Sequence, residues 1–129
     1  MKTLLSVLTL LTAASCPVIA DQMTVGDLQK LCTSDDEVIK TACTFYIWGV
    51  TEGTQLAANS EKDSSGNFRE VKDKPICLPE GTSMKGVELV VKMSIGEDLM
   101  VFPKDRELPA VSFVAGVIRT KFACQKRKP

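Results

Sequence analysis

The chain has 129 residues with 16 basic and 16 acidic side chains, five cysteines and no histidine. Without an imidazole there is no Ser-His-Asp or Cys-His pair, no histidine metal site and no side chain titrating near neutrality by default, so most hydrolase mechanisms are excluded. The balanced charge also speaks against nucleic acid, whose binders carry a basic surplus.

Met1-Lys2, an apolar run from Leu4 to Ala14 and the ending Val18-Ile19-Ala20 read as a secretory signal peptide cleaved after Ala20. The run is about half the roughly 20 apolar residues of a membrane span, so no span is expected. Ala13-Ala14-Ser15-Cys16 loosely resembles a lipoprotein box, and lipidation of Cys16 is the alternative. The remaining chain, Asp21 to Pro129, has the length of one domain and a net charge of about −1. Its closing Lys126-Arg127-Lys128 reads as a solvated tail.

Beyond the signal peptide the cysteines are Cys32, Cys43, Cys77 and Cys124, an even set that reads as two disulfides in an oxidising compartment. Three connectivities exist, of which Cys32 to Cys43 with Cys77 to Cys124 is the expected one. Loop entropy gives roughly 3 kcal/mol for the first bridge and about 4 kcal/mol for the second. No two cysteines are close in sequence, so a zinc site is not expected, nor any other cofactor.

A first helix is expected from Val25 to about Lys30, with Thr24 as N-cap, Asp27 at the third helical position, and Leu28 and Leu31 inward. A second runs from about Glu37 to Ala58. On a helical wheel centred on Ala42, residues Val38, Ile39, Phe45, Tyr46, Gly49, Val50, Gly53, Leu56 and Ala57 fall within about 80 degrees, and that stripe is the expected core face. Ala42, Gly49 and Gly53 along its centre would let another helix approach closely. If the helix began at Ser34, Cys43 would sit roughly 13 Å up the axis and Cys32 could hardly reach it. Starting at Asp36 lowers the rise to about 10 Å, so Asp35 or Asp36 is the expected cap.

Asn59 to Lys74 is polar and turn-rich and reads as a long mobile loop that only Phe68 and Val71 can anchor. Pro75 and Pro79 bracket Cys77 in an extended segment. A third helix is expected from Ser83 or Met84 to Ile95, capped by Thr82, with Glu88 and Lys92 ordered as an i,i+4 pair; the composition of Val87 to Met93 would also suit a strand. Gly96 to Leu108 reads as a second loop. Pro109 suits the first turn of a fourth helix that continues to Ala123, with Val111, Val114, Ala115, Val117, Ile118 and Phe122 on one face. The fold class is therefore an all-α bundle of about four helices with two disulfides and long loops.

The only candidates for a glycosidase carboxylate couple are Asp35-Asp36-Glu37, Glu97-Asp98 and Asp105/Glu107. All sit at expected helix starts or in loops, where capping and solvated charge account for them. No glycine-rich phosphate loop follows a strand.

The pattern Leu31-Cys32-(x10)-Cys43-(x2)-Tyr46-Ile47-x-Gly49-Val50, followed by Cys77-Leu78-Pro79-x-Gly81 and Phe122-Ala123-Cys124, resembles the Rap/Tai type of bacterial type VI secretion immunity protein. The chain departs from it in the polar loop from Asn59 to Lys74 and in Phe102-Pro103-Lys104-Asp105, where members tend to have a short His-Pro turn. The resemblance implies a helical periplasmic protein, often a homodimer. It would do no chemistry and would plug the groove of a peptidoglycan amidase delivered by another cell. For that role the first candidate is the loop carrying Glu97, Asp98, Lys104, Asp105, Arg106 and Glu107, and the second is the loop around Phe68. Ile47 and Trp48 lie about 140 and 240 degrees from the wheel centre, where a dimer or partner surface is the functional reading and cover by another element the plain one. A small periplasmic stress chaperone, which exposes apolar surface on acidification, is the alternative from another class.

Overall fold

The computed structural model describes residues 22–125. The leader read over residues 1–20, Cys16 within it, and Lys126-Arg127-Lys128 lie outside the described residues. Four helices account for most of the described chain: α1 (Val25–Thr33), α2 (Glu37–Asn59), α3 (Met84–Val101) and α4 (Ala110–Lys121). A hairpin, β1 (Ser60–Lys62) with β2 (Phe68–Glu70), follows α2, and a 3-10 turn over Pro103–Glu107 separates α3 from α4. The fold is all-α with a minor two-stranded sheet.

Side-chain caps fix where the helices begin. Thr24 and Asp27 form a reciprocal capping box at α1, with the Asp27 N–H donating to Thr24 Oγ1 at 3.2 Å. Asp36 caps α2 by accepting from the N–H groups of Val38 and Ile39 at 2.8 and 3.2 Å. Ser83 rather than Thr82 caps α3, accepting from the Gly86 N–H, while the Thr82 hydroxyl donates to the Pro79 carbonyl. Both disulfides are present in the expected pairing, Cys32–Cys43 and Cys77–Cys124, with Cα separations of 5.1 and 4.8 Å.

Three expectations are corrected. First, the core face of α2 is not the stripe centred on Ala42. Cys43, Ile47, Thr51, Thr54 and Asn59 are buried, while Val38, Phe45 and Leu56 are 78%, 62% and 70% exposed. The bridge to Cys32 holds Cys43 towards α1, and one helix cannot point Cys43 inward and Phe45 inward as well. Ile47, read as an interface residue, is therefore in the core, and Trp48 is half-buried against it. Two of the polar residues on this face, Thr51 and Asn59, find hydrogen-bond partners within the protein. Thr51 donates to the Ile47 carbonyl at 2.7 Å, and Asn59 bonds both the carbonyl and the N–H of Ile76, at 2.9 and 3.2 Å.

Second, the segment after α2 is an ordered hairpin. Its register sets Glu61 opposite Arg69 and Lys62 opposite Phe68, and both pairs interact: a 2.8 Å salt bridge and an ammonium 5.2 Å from the ring centroid. Asp63 accepts from the N–H groups of Ser65 and Asn67, and Gly66 supplies the positive φ of the turn. Third, α3 continues past Ile95 to Val101. Its buried stripe Val87, Val91, Ile95 carries on to Leu99, which outweighs Gly96, and Pro103 ends the helix. The Glu88–Lys92 pair forms, and the Thr44 hydroxyl of α2 donates to Glu88 as well.

The core joins Val25 and Leu28 of α1, Cys43 and Ile47 of α2, the α3 stripe, and Ala110, Val114, Val117 and Ile118 of α4. Val111, expected inward, is partly exposed. Short backbone pairings tie both ends of α4 to distant chain. The Val25 N–H bonds the Leu108 carbonyl and the Ala110 N–H bonds that of Met23. At the other end the Cys77 N–H bonds the Phe122 carbonyl and the Cys124 N–H bonds that of Pro75, beside the second disulfide.

Candidate partner-binding surface

The end of the bundle where α3 stops is the best-formed candidate surface. The extension of α3 places Glu97 and Asp98 on its last turns, and the 3-10 turn then folds back against α1 and α3. Lys104, Asp105, Arg106 and Glu107 are thus held on a compact turn rather than a mobile loop. The Asp105 N–H bonds the Phe102 carbonyl and the Leu108 N–H bonds that of Asp105. The turn is seated by Arg106, whose aliphatic stem crosses Gly26 of α1. A Cβ at Gly26 would fall 2.3 Å from Arg106 Cγ, so glycine is what permits this approach.

Between α3 and α4 beside this turn runs an open groove of ≈ 570 Å³, lined by Glu97, Asp98, Val101, Phe102, Phe113 and Lys121 among others. Asp98 brings the groove its one unusual group. Its Oδ2 is sealed from solvent without a hydrogen-bond partner. Burial raises the Asp98 carboxyl above its ordinary value, and the neighbouring Asp105 carboxylate pushes the same way. Two of the sequence's carboxylate groups thus meet through one member each. Among the described residues no set of three or more His, Cys, Asp or Glu could hold a metal ion, and no helix is long and apolar enough to cross a membrane.

Of the residues singled out from sequence, Glu97, Asp98, Lys104, Asp105, Arg106 and Glu107 are brought to this end together. Phe68 is not. It stands 74% exposed on the hairpin, which packs beside α2. The sequence reading missed Met100 and Val101, which are 84% and 67% exposed next to Phe102 at the rim, and the α4 side of the groove. Only the length of α3 would have revealed them, because Met100 and Val101 look like core residues until Leu99 is known to take the inward position.

Residues 24–124 match the family model described as Rap1a immunity proteins. No curated protein and no solved structure matches the chain.

Proposed function

The chain belongs to the Rap1a immunity protein family, and from that membership we propose that it is exported to the periplasm and blocks a type VI secreted peptidoglycan amidase. Family members are inhibitors rather than enzymes, and the protein is not an enzyme. Its immunity function implies binding to a cognate effector. The observation that carries the reading is the extent of the match, which spans nearly every described residue and both disulfides.

The blocking element is the end formed by α3 and the 3-10 turn. Met100, Val101 and Phe102 offer apolar contact, and Lys104, Arg106 and Glu107 surround them with charge, the mixture of apolar anchor and polar rim that partner surfaces use. Seating on α1 holds the turn ready, so less ordering entropy opposes binding. The signal peptide over residues 1–20 supplies export, and two disulfides suit an oxidising compartment.

The test is protection of cells that express type VI amidases in the periplasm, with capture of the enzyme on the purified chain. Rescue and capture by one amidase are expected, and both should fail with Phe102→Asp while the disulfides and helicity persist. Absence of rescue and binding across the amidase classes removes the proposal. Dye binding that appears on acidification without any specific partner would favour the chaperone reading instead.

A further inference from the structure

We propose that the Cys77–Cys124 bond is a site of thiol–disulfide exchange, opened by attack of a dithiol reductant on Cys77, whereas Cys32–Cys43 is a closed structural link. The inference goes beyond the functional reading and stands or falls without any effector.

The two bonds sit in opposite surroundings. Cys32 and Cys43 are 3% and 0% exposed and belong to the core, where their bond joins α1 to α2 in the same cluster as Leu28 and Ile47. Exchange needs a thiolate to approach a sulfur from outside, so a sealed bond reacts only after the helices around it part. Cys77 lies instead in the segment between Pro75 and Pro79, exposed to solvent, and Cys124 is half-buried just past the end of α4. Neither belongs to the core cluster. Cutting this bond does not release what it joins. The Cys77 N–H also bonds the Phe122 carbonyl at 2.8 Å, and the Cys124 N–H bonds that of Pro75 at 3.0 Å. Between Pro75 and Cys77, Ile76 is 1% exposed, and Asn59 of α2 bonds both its backbone groups. These contacts keep the two cysteines adjacent, with their Cα atoms 4.8 Å apart in the oxidised chain, so the bond can form again after reduction.

The chemistry is a two-electron transfer from the dithiol to the bond. One thiolate of the dithiol attacks Cys77 Sγ and forms a mixed disulfide as the bond to Cys124 breaks, and Cys124 leaves as a thiolate that takes up a proton. The second thiol of the reductant loses its proton and attacks its partner's sulfur in the mixed disulfide, and Cys77 leaves in the same way. The reductant ends as a disulfide and the protein as a pair of thiols. Cys77 is the sulfur attacked because it is the more exposed residue of the pair. After reduction the end of α4 is held without a covalent link. Val117, Thr120 and Lys121 near that end line the groove between α3 and α4, so the exchange reaches the candidate partner surface.

Reduction of the folded, oxidised chain by graded dithiothreitol, with free thiols alkylated and mapped by mass spectrometry, tests the assignment without any effector. Cys77 and Cys124 should be labelled faster than Cys32 and Cys43 by a factor of about 100 or more, with helicity retained in the same sample. A dithiol protein of the Cys-x-x-Cys type, its second cysteine replaced by serine, should be trapped on Cys77 and leave Cys124 open to alkylation. The double variant Cys77→Ser with Cys124→Ser should keep its helical content, and its remaining bond should resist dithiothreitol until denaturant is added. Equal labelling of the two bonds, no labelling before the chain unfolds, trapping on Cys124, or helicity lost as Cys77 is labelled overturns the proposal.

Discussion

The two faces of α2 differ in the reverse of the usual sense. The inner face buries Thr51, Thr54 and Asn59 with Cys43 and Ile47, whereas the outer one leaves Val38, Phe45 and Leu56 in solvent. What separates them is not apolar content but satisfaction of polar groups and covalent constraint. Thr51 and Asn59 on the inner face have protein partners, and the disulfide chooses which way the helix turns. Inward orientation therefore follows from Cys43, and hydropathy only fills what remains.

The sharpest way to break this contrast is Ile47→Ala. Loss of a fully buried side chain should cost about 2–5 kcal/mol in chemical denaturation; a surface-like effect would mean the inner face is misplaced. Next is Asn59→Ala, which strands the N–H and carbonyl of Ile76 and should cost about 1–3 kcal/mol. Asp98→Asn probes the opposite case, a sealed oxygen with no partner. The folded-state carboxyl of Asp98 is raised, so the folded protein binds the proton more tightly than the unfolded chain. Its ionisation thus costs stability above the raised value, and that cost fades as pH falls towards and below the ordinary carboxylate range. The Asn variant should therefore gain on the wild type at neutral pH and lose that gain in acid, as read from melting temperatures across pH. The smallest effect is expected for Phe45→Ser, within about 0.5 kcal/mol. A larger loss would show that the outer face is covered.

Much of the local architecture was legible from sequence because it depends on short-range chemistry. Thr24 with Asp27, Asp36, Pro109 and the Glu88–Lys92 pair all act within one or two helical turns, and the pairing of Cys32 with Cys43 limited where α2 begins. The facing of α2 was not legible by wheel, because apolar residues outnumber polar ones on its exposed side. Yet the same cysteine pairing already implied it, since Cys43 cannot lie at the edge of the buried face and still meet α1. The hairpin escaped notice because all six strand residues are at least partly exposed, leaving no alternation to read; the Glu61 and Arg69 charges flanking Asp63 to Asn67 were the available signal. At the candidate surface the charged residues were identified, but Met100, Val101 and the meeting of Asp98 with Asp105 depend on how far α3 extends.

The pairings at the two ends of α4 bear on how this protein comes apart. Helices usually unravel from a terminus, where the last turns are held by little. Here the first turn is tied to Met23 and Val25 and the last to Pro75 and Cys77, so neither end is free to fray. Amide exchange along α4 should accordingly be uniform rather than graded, with the Ala110 and Cys124 N–H groups as slow as its middle, because the helix can be released only when the chain on both sides lets go.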